Sequence, residues 1–313
     1  MAEAEARPTV FHEGSCVVCR RADDLHHLSE LGKAVCTRCA PVLLRQKIEG
    51  TVRRYRMIRK RESVAVALSG GKDSGSLLHA LQYMRGRLSF SLVAVHLHMG
   101  LGEYSDLSVE ACRRQAGALG VPLRVVRTED YGVRVQGTKQ WPVCAVCGTV
   151  RRVVLGRWCR ESRVDSYCTG HTLDDQLQFM LKRLLSGRRD APHPVTRDIP
   201  SFPRKCRPLF FLPDAALALY AQAVGLHTVG SQCPRFVPEA HRFKEVFELL
   251  ESIAPLSKGQ FLEALLPAMP LRPNYGRERA CRSCGELTTM PICPLCRLRA
   301  HQQGEPVPDA RGE

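Results

Sequence analysis

Ten cysteines of this chain fall into five Cys-x-x-Cys pairs: Cys16/Cys19, Cys36/Cys39, Cys144/Cys147, Cys281/Cys284 and Cys293/Cys296. Cys19 and Cys36 are separated by 16 residues, within the range of a four-thiolate zinc ribbon. Cys284 and Cys293 enclose only 8, a tighter knuckle turned by Pro291 and Pro294. Four thiolates close a metal's coordination sphere, so both quartets are expected to be structural, each holding one Zn²⁺ and supplying the fold that so short a segment cannot draw from a core. His26 and His27 lie between the first two pairs, but four cysteines suffice, and both are read as surface residues. Cys144/Cys147 stands alone in the middle of the chain. On spacing alone it is open to several readings: a redox pair carrying a persulfide, half of a third zinc site completed by Cys159, Cys168 or Cys206, or two inert thiols at a helix start. A helix N-terminus would lower the thiolate pKa, which favours a reactive pair.

A second group suits phosphate. In "VALSGGKDSGS", Gly70 and Gly71 allow the backbone to approach phosphate oxygens, Ser69 and Ser74 add hydroxyls, and Lys72 adds a mobile charge beside Asp73. The stretch does not fit G-x-x-x-x-G-K-[ST], which disfavours a loop built to cleave a γ-phosphate. In "GHTLDDQLQ", Gly170 would let backbone lie against a nucleotide, and Asp174 or Asp175 would hold Mg²⁺ or polarise an attacking group. Acids at a helix N-terminus also complement its dipole, and alone they would be read that way.

These groups need elements to hold them. "SVAVALS" is a continuous β-branched apolar run, the mark of a strand buried on both faces. "GSLLHALQYMRG" is a helix ending at Gly86, "FSLVAVHLHMG" a second strand, "SDLSVEACRRQAGALG" a capped helix closing at Gly120, and "PLRVVRTE" a third strand. "CGTVRRVVLGRWCRESR" and "TLDDQLQFMLKRLLSG" are helices on either side of the strand "DSYCTGH". "LPDAALALYAQAVGL", "HTVG" and "EAHRFKEVFELLESI" extend the alternation. Repeated β-α-β units predict an α/β fold, a doubly wound parallel sheet with small four-cysteine zinc modules at both ends. The phosphate loop then lies where such sheets bind ligands, between first strand and first helix. The expected organisation is an N-terminal metal module and linker helix over 1–48, a nucleotide-binding domain over 49–268, a C-terminal knuckle over 269–300 and a loose tail over 301–313.

The chain has 313 residues and a formal charge of +15, most of its cations being Arg, which points to a polyanionic partner, nucleic acid first. No apolar run reaches the roughly 18 residues that span a bilayer, and the N-terminus lacks the pattern of a secretory signal, so a cytoplasmic protein away from membranes is expected. In that compartment clustered cysteines favour metal over disulfide.

Ser-Gly-Gly-Lys-Asp-Ser after the first strand resembles the hallmark of the PP-loop ATP pyrophosphatases, which split ATP between its α- and β-phosphates and adenylate an oxygen. Gly170-His171-Thr172-Leu173-Asp174-Asp175 is similar to the Gly-His-x-x-Asp-Asp element of members acting on tRNA. With Cys-rich modules at both ends the chain resembles the TtuA-type tRNA 2-thiolation enzymes from Cys16 to Cys296, although His98 stands where an Asp is usual. "GLGEYSD" also matches a segment of that family. The resemblance implies that Cys144 and Cys147 join the distant Cys233 of "GSQCPRF" in holding a [4Fe-4S] cluster with one iron lacking a protein ligand. It implies Arg151 near the nucleotide, and catalytic parts for Lys72, Asp175 (with Asp174 as fallback), Cys144 and Cys147. It further implies a tRNA substrate, a sulfur donor that is either a ubiquitin-like thiocarboxylate carrier or sulfide, and admits a homodimer. The expected product is 2-thiouridine. Cytidine thiolation by a relative of the same core, lysidine formation, and a non-catalytic zinc-dependent RNA-binding protein are the competing readings.

Overall fold

Val64, Ala65 and Val66 are fully buried at the centre of the computed structural model, which describes residues 14–137, 141–188, 193–196, 199–236, 242–268 and 279–307. They belong to β3 (Ser63–Ala67), the middle strand of a five-stranded sheet. The sheet has the order β5-β4-β3-β6-β7, formed by β4 (Ser91–His98), β5 (Leu123–Arg127), β6 (Ser166–Thr169) and β7 (Arg204–Cys206). Every pairing in it is parallel.

Side chains alternate across a strand, and the two faces of β3 serve different cores. Val64 and Val66 pack with α1 (Ala40–Arg54), α2 (Lys72–Leu88), α3 (Glu103–Ala118) and α6 (Asp214–Ala223). Ala65 faces α4 (Val143–Glu161) and α9 (Pro294–Gln303). A third cluster joins α5 (Leu173–Leu185), α7 (Arg242–Ile253) and α8 (Ser257–Ala268) through Leu177, Phe247 and Leu262. Each fully buried aliphatic side chain contributes roughly 1.5–3 kcal/mol, which is what fixes the helices on the sheet.

The terminal modules lie on opposite faces. The first is a hairpin of β1 (Leu25–Leu28) and β2 (Lys33–Cys36), and its Cys16, Cys36 and Cys39 pack into the α1–α2 core. Cys39 caps α1, which continues unbroken past residue 48. The second is a hairpin of β8 (Arg279–Ala280) and β9 (Leu287–Thr288), packed with α9 into the α4 core.

The expected elements are present with differences. α4 begins at Val143 instead of Cys147, α9 runs through Gln303 into the stretch expected to be a loose tail, and α8 answers to no expected element. Residues 239–241 of the last expected helix and 308–313 of the expected tail lie outside the described residues. "HTVG" forms no strand; instead Val229 N donates to Gly70 O at 2.9 Å, so this segment braces the phosphate loop. The helix expected to stop at Gly86 runs to Leu88, because Ser89 adopts the left-handed conformation (φ 55°) and closes it by bonding Arg85 O. The helix expected from Ser105 begins at Glu103, capped by Gly102. The short edge strand β7 carries no apolar alternation to announce it; Arg204 is buried there because Glu62 binds its guanidinium at 2.6 Å.

Candidate active site

The turn from β3 into α2 is held open by its own groups. Gly70 takes φ +83°, and a Cβ there would meet Ser108 O at 3.0 Å. Val229 N and Gln115 Nε2 both donate to the Gly70 carbonyl, at 2.9 and 3.1 Å. Ser74 Oγ accepts from Ser69 N at 3.0 Å and lies 2.9 Å from Ser69 Oγ. Gly71 caps α2, whose positive end therefore faces the loop. Lys72 Nζ bonds Asp73 Oδ1 at 2.6 Å.

Beside this loop, at the C-terminal ends of β3, β4, β6 and β7, lies a cavity of about 620 Å³. Ser69, Gly71, Asp73, Ser74, Arg151, Gly170 and Asp175, all anticipated from the sequence, line it. Gly170 does so for a different reason from the expected one. A Cβ on it would come within 2.9 Å of Ser74 N, so its bareness accommodates the phosphate loop's backbone.

The two adjacent aspartates part company. Asp175 lines the cavity, forms a capping box with Thr172 at the start of α5, and pairs with Lys244 at 2.8 Å. Asp174 is 1 % exposed and turned away. Its Oδ2 accepts from Asp214 N at 2.6 Å and its Oδ1 from Lys258 Nζ at 2.9 Å. Asp175 is thus the member that faces the cavity. Burial raises the Asp73 carboxyl above the ordinary range, with Lys72 opposing and the charges of Asp214 and Asp175 adding to it. These carboxylates do not converge on a common point within 4.8 Å among the described residues. That fits Mg²⁺, which takes one or two carboxylates plus substrate phosphates rather than an all-protein cage.

The opposite wall is cationic. Arg151, Arg152, Lys205 and Arg207 line it with His171. His171 is exposed toward the cavity, with its Nδ1 2.9 Å from Thr169 Oγ1. Desolvation first, then Lys205, Arg207, Arg151 and Lys244, push it down to about 3, so it is neutral at pH 7. Lys205, Arg207 and Lys244 carried no sequence signal, since their segments match no motif. His171 lies inside the Gly170–Asp175 motif.

His96 is 4 % exposed and on the cavity wall. Its Nδ1 lies 2.9 Å from Leu68 O, and since a carbonyl only accepts, Nδ1 carries the proton. Nε2 is left with an unpartnered lone pair. Burial pushes its pKa down to about 4. The folded state holds it neutral, so its contribution is complete above the unfolded value near 6.5 and is lost as pH falls toward 4. That shift corresponds to about 3 kcal/mol. A His96→Gln protein is expected to lose stability less steeply than the parent between about pH 6.5 and about pH 4, as followed by urea unfolding.

Cys144 and Cys147 are the second and fifth residues of α4. Cys144 Sγ donates to Arg235 O at 3.6 Å, which brings the Cys233 turn against this helix start. The Cys147 thiol is pushed up by burial; the charge of Arg151 opposes this, and the nearby Cys233 and Cys144 add to it. The lowered thiolate pKa expected from the helix N-terminus is therefore overridden at Cys147. The three thiols are free, and their sulfurs do not all lie within 4.8 Å of one another. They do not form a compact sulfur group of the kind found at the two ends of the chain. Cys112, Cys159, Cys168 and Cys206 are buried thiols, as expected, and none completes a third metal quartet among the described residues.

The end quartets are compact: in each, Cys16/Cys19/Cys36/Cys39 and Cys281/Cys284/Cys293/Cys296, the four sulfurs lie within 4.8 Å of one another. Burial opposes ionisation of Cys16, but backbone N–H groups of Cys36, Cys19 and Val18 outweigh it and bring the thiol to about 6. Cys281 is brought to about 7 in the same way by Cys293, Cys284 and Ser283. Burial raises Cys36, Cys39, Cys284 and Cys293 instead, so it is the compact four-sulfur geometry that fits a closed metal site. His26 bonds Thr37 Oγ1 at 2.8 Å instead of joining the first quartet.

The chain is 29% identical over 265 residues to tRNA-5-methyluridine(54) 2-sulfurtransferase of Pyrococcus horikoshii, covering 81% of this chain and 83% of that protein. It is 30% identical to cytoplasmic tRNA 2-thiolation protein 1 of Bos taurus, covering 90% of this chain and 86% of that one. Its fold matches that of the U34-tRNA thiolase NcsA from Methanococcus maripaludis, solved with its [4Fe-4S] cluster, at a TM-score of 0.78 and 23% identity, over 92% and 96% of the two chains. No described helix is long and apolar enough to cross a membrane. The family model of the PP-loop domain matches residues 44–229, which include the phosphate loop, the Gly170–Asp175 element and the Cys144/Cys147 helix, and the chain belongs to the PP-loop domain family.

Proposed function

We propose that the protein is a cytoplasmic ATP-dependent tRNA sulfurtransferase that converts a tRNA uridine to 2-thiouridine. The observation that carries this reading is Arg151, which lines the nucleotide cavity four residues after Cys147 on the same helix, so that α4 links the phosphate site to the cysteine pair. The relatives named as tRNA 2-thiolation proteins support the substrate class.

In the first half-reaction the C2 carbonyl oxygen attacks the α-phosphorus of ATP and pyrophosphate leaves with the bond electrons. Gly70, Gly71, Ser69, Ser74 and the α2 N-terminus receive the phosphates, and Lys72 balances the charge that grows on pyrophosphate. Asp73 and Asp175, with Mg²⁺, orient the phosphates on the other side. Cys144, Cys147 and Cys233 would hold a [4Fe-4S] cluster, which would supply iron chemistry for delivering sulfur to the activated base. In the second half-reaction sulfur bonds to C2 and AMP departs with the original oxygen. Arg151 lies between the two events and is placed to hold the departing phosphate. The end quartets hold Zn²⁺ and are structural. A thiocarboxylate carrier or sulfide supplies the sulfur.

The test is nucleoside mass spectrometry of unmodified tRNA incubated anaerobically with protein, ATP, Mg²⁺ and sulfide. ATP-dependent 2-thiouridine is expected, and Lys72→Ala is expected to lower its rate about 100-fold, in line with removing one transition-state donor. New 2-thiocytidine would establish the cytidine reading instead. Absence of both, with tRNA still bound and no AMP formed, would leave an RNA-binding protein.

A further inference from the structure

The edge of the sheet opposite the cavity is formed by the segments that lead into β3, β4 and β6. The register places Ser63 beside Ser91 and Val64 beside Ser166. The segments are also bonded to one another: Arg61 N to Ser89 O at 2.6 Å, Ser91 N to Glu62 O at 2.9 Å, and Ser63 N to Asp165 Oδ2 at 2.7 Å. Arg56, Lys60, Arg61 and Arg163 are exposed on this surface, and Arg85 and Arg87 join them from the last turn of α2. A cation in a last helical turn already offsets the helix dipole, so the first four carry the argument.

The acids here are committed. Glu49 binds Arg53 and Arg87, at 2.8 and 2.5 Å, and Glu62 binds Arg204 at 2.6 Å. Asp165 accepts the backbone of Ser63. Among the described residues no carboxylate pairs with Arg56, Lys60, Arg61 or Arg163. A run of charge is ordinarily a solvated face, but the backbone argues otherwise. Arg56 (φ 48°), Arg61 (φ 64°) and Arg163 (φ 54°) are all left-handed, a conformation that Gly or Asn adopts with less strain. Three strained positions on one edge each present a guanidinium that the fold itself does not use. Beside them Tyr83 is 57 % exposed, with Arg45 3.9 Å over its ring.

We propose that this edge docks the phosphate backbone of an RNA at the end of the sheet remote from the cavity. The excess of unneutralised cations matches a polyanion, and an exposed Tyr stacked on Arg offers a face to a base. The identity of that RNA as tRNA rests on the function proposed above, but docking itself does not require thiolation.

The experiment is filter binding of tRNA to the full chain without ATP across a salt series. The variant carries Arg56→Asn, Lys60→Gln, Arg61→Asn and Arg163→Asn, since Asn tolerates the left-handed backbone. Affinity near about 0.15 M salt is expected to fall at least tenfold, and the slope of log affinity against log salt to shrink by about 3, at roughly 0.7–0.9 for each phosphate no longer neutralised. Binding of an ATP analogue and the unfolding temperature stay at the parent values. Neutralising Arg20, Arg21, Lys33 and Arg299 on the end modules is the comparison and is expected to cost less. Unchanged RNA affinity and salt slope would overturn the proposal. So would lost binding to phosphatidylserine vesicles with RNA binding intact. If the parent binds tRNA and the variant does not, yet neither protein thiolates, docking stands and the sulfurtransferase reading fails.

Discussion

Cys147→Ala protein, purified anaerobically, is expected to lose thiolation by at least two orders of magnitude while binding an ATP analogue as tightly as the parent. The separation follows from where Cys147 sits. It is the fifth residue of α4 and does not itself line the nucleotide cavity, so removing its sulfur leaves the phosphate loop and Asp175 in place. Groups that merely orient a metal ligand cost roughly 10–100-fold when removed, and a ligand should cost more. Burial raises the Cys147 thiol, which keeps the free thiol protonated and a poor nucleophile, against a role as a persulfide carrier. The variant is therefore expected to lose iron and visible absorbance together with activity. Retention of thiolation within threefold, or lost activity with full iron content, would count against a cluster held by Cys144, Cys147 and Cys233.

A second large effect is expected at a residue that no motif marks. Lys258 is 1 % exposed, and its ammonium lies 2.9 Å from Asp174, 3.3 Å from Glu30 and 2.5 Å from Glu248. Burial pulls its pKa down, but the hydrogen bonds of Glu248 and Asp174 more than reverse this and hold it above the ordinary lysine range. Lys258→Met would leave the Asp174 carboxylate buried without its cation, a change that costs about 3–5 kcal/mol. With roughly 2–4 °C lost per kcal/mol in a domain of this size, the unfolding temperature should drop by about 10 °C. Adding Asp174→Asn removes the stranded charge and should recover more than half of the loss. Calorimetry of both variants checks this, and an unfolding temperature within about 2 °C of the parent in Lys258→Met would refute the pairing.

These two residues show what the chain discloses in one dimension. The phosphate loop was legible because its chemistry is local: Ser69 to Ser74 are consecutive, and a strand and a helix flank them. The α/β alternation was legible because buried strands such as Val64–Val66 need continuous apolar runs. Asp174 and Asp175 were not separable, since adjacent residues at a helix start differ only in which way the third dimension takes them. Lys258, Lys205 and Arg207 gave no signal because their partners come from distant segments. The "HTVG" segment read as a strand for the same reason, its bond to Gly70 O being a tertiary contact. His171 was visible yet unread, because a neutral imidazole among cations is a property of the assembled wall.

The close approach of Gly170 to the Asp73–Ser74 backbone constrains how this site can vary. Two motifs far apart in the chain are pressed together as one solid, with no gap for a single added carbon. A side chain at 170 and the path of the phosphate loop cannot be chosen independently. Libraries that randomise either segment alone will return almost only the parental glycine at 170. Tolerated exchanges there should surface as paired changes in both segments, a strong epistasis whose origin is steric rather than chemical.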